Sequence, residues 1–361
     1  MEETNNLSVI SVTEMTNTLS KSYIRLIESG IEFAKFPSVM LWGPPGVGKS
    51  QGVREIAEEI RKKTGKKVII TDVRLLLFNP VDLRGIPTAN EDKTLAVWLK
   101  PKIFQMDNSS DVVNILFLDE ISAAPPSVQS AAYQITLDRM VGEHKLPENC
   151  IIIAAGNRVT DKSVAYNMPK ALANRLCHFE IKSDVNSWHD WAIKNGIHKY
   201  VVGFIEYNSS ALIKFSSSDT DLAFATPRSW EMVSNVFNNI SENIDDVYSI
   251  ICGCIGHYMA YNLKNWISLY NGMPSVEAIF LGKKINVPKT EELQIVLRSE
   301  MVDYARKHPQ KEKIDNSVEF SCSLPWNFRG KLLHDYYYIP DVRPIIKEND
   351  VFKAALKKGL K

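Results

Sequence analysis

Short apolar runs alternate with amphipathic stretches between residues 38 and 181. Five of these runs have the length of buried strands, at residues 39–42, 68–73, 115–118, 151–155 and 179–181. Helical periodicity fits most of the intervals between them. Because strands that alternate with helices pair in parallel and are covered on both faces, the pattern predicts an α/β domain with a parallel sheet flanked by helices.

The pattern changes after residue 182, where helical periodicity continues without clear strands, as at residues 185–194 and 230–240. Beyond Asn271 the periodicity weakens, apart from a predicted helix over residues 291–307. We therefore predict three parts. They are an α/β domain over residues 1–181, a helical domain over residues 182–270, and a partly helical extension of unknown fold over residues 271–361.

Composition and charge exclude several classes of protein. Basic and acidic side chains number 43 and 42, and a net charge of +1 argues against a broad nucleic-acid-binding face. No apolar run approaches the length of about 18 residues needed to cross a bilayer. The polar residues 1–10 lack the pattern of a secretory signal, and five cysteines without framework spacing fit a reducing compartment. We expect a cytoplasmic protein without a membrane span.

A glycine-rich loop follows the first predicted strand and precedes a predicted helix over residues 51–62. It satisfies the pattern G-x-x-x-x-G-K-[ST] with Gly43, Pro44, Pro45, Gly46, Val47, Gly48, Lys49 and Ser50. Glycines let backbone N–H groups converge on phosphate oxygens, and the helix N-terminus adds partial positive charge. Lys49 would reach the outer phosphates of a nucleotide, and the Ser50 hydroxyl would ligate magnesium.

Polar residues follow two further predicted strands. Asp119 and Glu120 end the run ILFLDE, where a carboxylate can hold magnesium and its neighbour can polarise the attacking water. We assign Asp119 to the metal and Glu120 to the catalytic base. Asn157 ends the run IIIAAGN and could orient that water or contact the γ-phosphate, although an asparagine that merely opens a turn is the plain alternative.

These stretches, together with PKALANRL at residues 169–176 and FATPRSWE at residues 224–231, resemble the AAA+ ATPases. The segment DEISAAPPSVQSAAYQITLDRMVG, at residues 119–142, resembles the MoxR-like branch in particular. The similarity covers approximately residues 38–237. It implies a P-loop NTPase core followed by an α-helical lid, with ATP and Mg²⁺ as cofactors, residues 43–50 as the Walker A loop and residues 119–120 as the Walker B pair.

The resemblance also assigns roles to three polar residues outside the Walker motifs. It implies that Asn157 is sensor one and that Arg175 is an arginine finger for the γ-phosphate of a neighbouring subunit. Arg228 matches sensor two, which contacts nucleotide from the lid of its own subunit. A surface ion pair is the ordinary alternative for each arginine, and Arg158 and Arg139 are weaker candidates for a subunit interface.

A finger that acts in trans implies self-association, and the family resemblance implies a ring, usually a hexamer. The branch has loops near residues 73–104 and 140–147 that face the pore or substrate. Side chains there could contact a client; they are Phe78, Leu83, Arg84, Trp98 and His144. The equal alternative for Phe78, Leu83 and Trp98 is that they pack on the sheet.

The leading functional hypothesis is an ATPase ring that remodels or assembles a protein client, with a von Willebrand factor A domain protein as the partner implied by resemblance. One alternative is a nucleic-acid motor or a restriction or antiviral effector, although the neutral charge argues against it. Another is a scaffold that binds ATP without turnover. Intact Glu120 and Arg175 argue against that reading, because a module that only binds nucleotide needs neither side chain.

Overall fold

A computed structural model describes residues 7–158, 166, 168, 170–214, 221–271, 273, 275–283 and 285–357. Pro169, the first residue of the stretch PKALANRL, lies outside this part of the chain. The chain divides into two compact units, Met1–Ser183 and Asp184–Lys361. No helix among the described residues is long and apolar enough to cross a membrane.

The first unit contains strands and helices in alternation. The strands are β1 (Ser8–Ser11), β2 (Val39–Trp42), β3 (Lys67–Arg74), β4 (Ile86–Ala89), β5 (Ala96–Leu99), β6 (Val112–Asp119), β7 (Met140–Val141), β8 (His144–Lys145), β9 (Cys150–Gly156) and β10 (Cys177–Lys182). The helices are α1 (Val12–Glu28), α2 (Lys49–Thr64), α3 (Pro80–Arg84), α4 (Pro126–Asp138) and α5 (Lys170–Ala173).

Six described strands form one parallel sheet in the order β1-β10-β2-β9-β6-β3. Each of the five predicted strands lies in this sheet, which confirms the predicted α/β class. Residues 112–118 of β6 are buried along the whole run, as expected for a strand covered on both faces. Residues of this sheet contribute to two apolar clusters. The first cluster also includes residues of α1 and α2, and the second also includes residues of α4.

The N-terminal pair β1 and α1 was not predicted from the sequence. Ser11 caps α1 by accepting a hydrogen bond from the backbone N–H of Glu14, whose side chain accepts one from the N–H of Ser11. Met15, Leu19 and Tyr23 are buried at a spacing of four residues, so α1 presents one apolar face to the core.

The segment between β3 and β6 is broken into short elements, as its prolines and glycine predict. It contains α3 and the antiparallel hairpin formed by β4 and β5. Leu83 is buried in the core of the sheet, so this side chain is unavailable to a client. Phe78 is partly buried against the same core, whereas Arg84 is exposed. The imidazole Nε2 of the half-buried His144 lies 2.7 Å from the carbonyl oxygen of the half-buried Trp98.

The described part of the second unit is helical, apart from 3₁₀ turns and one isolated bridge between Lys214 and Ala225. Its helices are α6 (Val185–Lys194), α7 (Lys199–Tyr207), α8 (Pro227–Asn239), α9 (Ile244–Ile255), α10 (His257–Ile267), α11 (Glu277–Phe280), α12 (Glu291–Lys307), α13 (Lys311–Ser321), α14 (Trp326–Tyr338), α15 (Arg343–Glu348) and α16 (Asp350–Lys357).

One hydrophobic core runs through this whole unit, from Trp188 to Ala355. Helices on both sides of Asn271 contribute to it, so the predicted lid and the predicted extension pack together. Tyr336 is fully buried, and Tyr337 and Tyr338 pack partly buried against the same core. These three tyrosines are therefore packing residues.

A buried ion cluster joins three helices of the same unit. The guanidinium of Arg298, which is 1% exposed, pairs with Glu206 on α7 and with Asp335 on α14. Burial alone would raise the pKa of Asp335, but Arg298 and His189 together hold that pKa well below its ordinary range. The cluster therefore ties α12 to α7 and α14 through charge as well as through apolar packing.

Two glycines inside helices of this unit provide a matched test of the packing. A Cβ at Gly203 in α7 would lie 2.9 Å from both Ser299 Oγ and Tyr270 Oη, whereas nothing lies within 4 Å of a Cβ at Gly253 in α9. We expect Gly203→Ala to lower the free energy of unfolding by about 1–3 kcal/mol through overpacking. Gly253→Ala should raise it by up to about 1 kcal/mol through helix propensity.

Urea denaturation followed by far-ultraviolet circular dichroism measures both effects. Equal stability of the two variants would contradict the close approach of α7 to the helices that carry Ser299 and Tyr270.

Candidate functional site

The glycine-rich loop lies between β2 and α2, as predicted. Helix α2 begins at Lys49, and Gly48 caps it with a φ of +107°. Residues other than glycine rarely adopt this left-handed backbone conformation, so the position favours glycine. The first backbone N–H groups of α2 lack partners inside the helix and carry the positive end of its dipole. The loop therefore presents donors suited to an anion.

The ammonium group of Lys49 lies at the centre of the site. Its side chain is 8% exposed, and Nζ donates hydrogen bonds to the carbonyl oxygens of Gly43 at 2.5 Å and Pro44 at 3.1 Å. A third hydrogen bond joins Nζ to Asn157 Oδ1 at 3.1 Å. Lys49 thus connects the loop after β2 to the residue that follows β9.

Asp119 lies at the end of β6 beside the first turn of α2. The hydroxyl of Ser50 donates a hydrogen bond to Asp119 Oδ2 at 3.1 Å, and the backbone N–H of Glu120 donates one to Asp119 Oδ1 at 2.9 Å. Asp72 on the neighbouring strand β3 has a pKa raised by partial desolvation and then by the carboxylate of Asp119. The repulsion between these two carboxylates favours a cation at this edge of the sheet.

The side-chain oxygen atoms of Ser50 and Asp119 suit a magnesium ion. Both are oxygen ligands, which Mg²⁺ prefers, and they lie next to each other at the loop that would hold phosphates. Protein Mg²⁺ sites commonly use one or two such side chains together with phosphate oxygens and water. The residues present therefore fit the metal that the sequence predicts.

Glu120 has an unusual backbone conformation for its residue type. Its φ is +60°, in the left-handed region that costs a non-glycine residue about 1–3 kcal/mol. The side chain is half-buried and makes no ion pair with any residue that the structure describes. Strain of this kind persists where the surrounding structure holds a side chain in a required direction.

Asn157 follows β9 and is held by a residue that sequence analysis missed. Its backbone N–H donates to Ser122 Oγ at 2.9 Å. The adjacent Gly156 has no room for a side chain, because its Cβ would lie 2.7 Å from the same Ser122 oxygen. Ser122 stands in the acidic motif DEIS, but nothing in that motif indicates a contact 35 residues away.

The sheet order explains why these side chains meet. Strands β2, β9 and β6 are adjacent and parallel, so the residues after their carboxyl ends lie at one edge of the sheet. The structure brings together Lys49, Ser50, Asp119 and Asn157 at this edge.

The predicted arginines lie in different surroundings. Arg175 follows α5, is exposed, and makes no hydrogen bond or ion pair with a described residue. By contrast, Arg158 pairs with Glu180 on β10, and Arg139 donates to the carbonyl oxygen of Cys150. Arg228 is exposed in the first turn of α8, in the second unit. Arg158 and Arg139 are therefore engaged within their own unit.

Comparison with known protein families finds one match within the first unit. Residues 38–178 match the model of the ATPase family associated with various cellular activities (AAA). No curated protein matches the chain. This match includes the loop, the acidic pair, Asn157 and Arg175, and it ends at the second residue of β10.

Solved structures resemble the chain only distantly. PCH-2 from C. elegans shares 14% identity over 73% of this chain and 72% of its own, with a TM-score of 0.37. A RuvB mutant from Thermotoga maritima shares 14% identity over 93% and 87%, with a TM-score of 0.36. Similarities at this level add nothing to the assignment, which comes from the family match. The family match therefore indicates an AAA ATPase domain at residues 38–178.

Proposed function

We propose that the chain is a ring-forming, MoxR-like AAA+ ATPase that couples hydrolysis of Mg-ATP to the remodelling or assembly of a protein client. The observation that carries this proposal is the convergence of Lys49, Ser50, Asp119 and Asn157 at the carboxyl edge of the parallel sheet. A lysine, a hydroxyl, a carboxylate and an amide at a phosphate-binding loop are the groups that phosphoryl transfer from a nucleotide requires.

In this proposal each residue near the loop has one role. Bound ATP supplies the γ-phosphoryl group for transfer to water. The N–H groups of residues 43–50 and the Lys49 ammonium hold the phosphates, while Ser50 and Asp119 hold Mg²⁺. Glu120 takes the proton from the attacking water, and Asn157 orients that water or the γ-phosphate.

The exposure of Arg175 supports a ring. A guanidinium stabilises the negative charge that spreads over the γ-phosphate oxygens, and an exposed arginine without a partner among the described residues of its own unit is available to another subunit. We therefore assign Arg175 as the finger that each subunit provides to its neighbour, and Arg228 as a lid residue that contacts nucleotide. Head-to-tail contacts of this kind close into rings, and a hexamer is the proposed size.

The hairpin of β4 and β5 supports a protein as the client. Ile86 and Leu99 are directly paired across its two strands and both are exposed, as is Leu95 at its end. Exposed apolar side chains that lie close together are typical of surfaces that bind proteins. A partner with a von Willebrand factor A domain belongs to the proposal through the family resemblance alone.

Assembly should control the rate of hydrolysis. If Arg175 acts in trans, a monomer lacks the finger, so the ATPase rate per subunit should rise with protein concentration as rings form. Steady-state phosphate release measured across a dilution series, with mass determined in parallel by light scattering in Mg-ATP, tests this expectation. A rate per subunit that stays constant in a confirmed monomer would contradict the ring and leave a solitary nucleotide switch.

A further inference from the structure

A histidine joins the phosphate loop to the segment that carries Arg175. Trp42 is the last residue of β2, directly before the loop, and its indole Nε1 donates a hydrogen bond to His178 Nδ1 at 2.9 Å. The other ring nitrogen of His178, Nε2, lies 2.7 Å from the carbonyl oxygen of Ala173. The indole and imidazole rings are nearly parallel, at an angle of 15°.

The two contacts fix the protonation state of His178. An indole nitrogen can only donate, so Nδ1 must accept, and a carbonyl oxygen can only accept, so Nε2 must carry the proton. The neutral tautomer with the proton on Nε2 is therefore the one form that satisfies both partners. Two partners of opposite kind make His178 a specific bridge between Trp42 and Ala173.

The carbonyl of Ala173 lies at the base of the turn that presents Arg175. It also accepts a hydrogen bond from the backbone N–H of Leu176 at 3.2 Å, and the Leu176 side chain is buried. The next residue, Cys177, donates its N–H to the carbonyl of Ser38 at 2.9 Å. Both ends of the turn are thus held, while the Arg175 side chain between them points to the exterior.

The other end of the bridge reaches the residues that hold Lys49. Gly43, directly after Trp42, accepts the 2.5 Å hydrogen bond from Lys49 Nζ, and its own N–H donates to the carbonyl of Gly156 at 3.3 Å. If the Lys49 ammonium group turns towards phosphates, it must release acceptors that it holds here, and Gly43 is one of them. A change at Gly43 acts on Trp42 through a single peptide bond.

We propose that His178 is a positioning residue which links the phosphate loop of one subunit to the arginine that this subunit provides for its neighbour. The proposal rests on the proposed function, because it requires Arg175 to act in trans. It assigns to His178 no contact with nucleotide in its own site. Removal of the bridge should therefore impair the neighbouring site and leave nucleotide binding in the same subunit intact.

The test replaces His178 by residues that keep or remove the two hydrogen bonds. His178→Phe keeps an aromatic ring but loses both bonds, whereas His178→Gln retains one acceptor and one donor. We expect His178→Phe to lower kcat by about 10- to 100-fold, the scale of a misplaced catalytic group, with little change in KM for ATP or in ring mass. His178→Gln should retain more activity than His178→Phe.

Mixed rings show on which site His178 acts. Glu120→Gln subunits lack the base but supply an intact finger, so adding them to His178→Phe subunits should restore hydrolysis in sites that keep their base. Arg175→Ala subunits mixed with Glu120→Gln subunits serve as the comparison. If hydrolysis returns in that mixture but not in the mixture with His178→Phe, the proposed role of His178 is overturned while the finger in trans stands. If the Arg175→Ala mixture also fails, the finger in trans is contradicted and the role of His178 falls with it.

A double-mutant cycle with Trp42→Phe gives an independent measurement. Trp42→Phe removes the bond to Nδ1, so the loss in the double variant with His178→Phe should be about that of His178→Phe alone. Fully additive losses would show that the two side chains act separately and would overturn the bridge. If His178→Phe does not fold, the cycle made with His178→Leu, which also loses both hydrogen bonds, decides the same question.

Discussion

Arg175→Ala is expected to lower kcat for ATP hydrolysis by about 10³-fold or more, which is the range that a catalytic arginine contributes in phosphoryl transfer. The physical reason is that the guanidinium opposes the negative charge on the γ-phosphate oxygens in the transition state, where water is a poor substitute. Binding of ATP should change little, because the phosphate loop and Lys49 are untouched. Steady-state kinetics and equilibrium titration with a fluorescent ATP analogue separate the two effects.

Arg61→Ala is the matched control for Arg175. Arg61 is an exposed arginine on α2 that pairs with Glu58 in its own helix, so its loss should leave kcat unchanged. An Arg175→Ala enzyme with the turnover of Arg61→Ala would show that the finger is another residue.

Mixing Arg175→Ala subunits with Glu120→Gln subunits tests the direction of the finger. Some interfaces would then combine an intact base with an intact arginine from the neighbour, and hydrolysis should return above the level of either variant alone. A finger that acts in its own subunit predicts no such gain.

Glu120→Gln is expected to lower kcat by about 10²- to 10⁴-fold, the contribution typical of a general base. The amide has the size of the carboxylate and can still orient water, but it cannot take a proton. Affinity for Mg-ATP should therefore stay close to that of the unmodified protein, and ATP should remain bound and unhydrolysed. Rapid filtration of the protein loaded with radiolabelled ATP measures the retained nucleotide.

Glu91, an exposed glutamate outside the candidate site, provides the control for the loss of one negative charge. Glu91→Gln removes one negative charge from the turn between β4 and β5 and should leave turnover unchanged. If Glu120→Gln turns over ATP at the unmodified rate, the catalytic base is another residue. The left-handed backbone of Glu120 would then have no catalytic role.

The amino-acid pattern predicts the sheet because two of its central strands contain uninterrupted apolar runs. Residues 115–118 and 151–155 are buried on both faces, and a run of this kind is visible without knowledge of the partners. Strand β1 escaped notice for the opposite reason, since it has four residues, lies at the sheet edge and is largely exposed. Its pairing with β10 depends on a contact about 170 residues along the chain.

The helix predicted over residues 291–307 is α12, but the other helices after Asn271 were not predicted from the sequence. In α14 the buried positions include Leu332 and Leu333 in succession and the charged Asp335, so no single apolar stripe stands out. The burial of Asp335 requires Arg298, which lies on another helix. A pattern read along one segment cannot contain that partner.

The residues of the candidate site divide in the same way. Lys49, Ser50 and Asp119 stand in local motifs whose spacing carries chemistry, and the structure brings them to one edge of the sheet. Ser122 and His178 each contribute a hydrogen bond to a residue far away in the chain, and His178 is 136 positions from Trp42. The sequence carries no local signal for such contacts.

The continuous core of the second unit has a mechanical consequence. Close-packed interiors transmit displacement with little compression, so we expect helices that share one core to move as a rigid body. Arg228 stands on α8, which belongs to the same core as α12 and α14. A force that acts on Arg228 is therefore transmitted through the shared core to the helices that follow Asn271. Deleting those helices would remove the surface that they form and also the packing that makes the unit rigid.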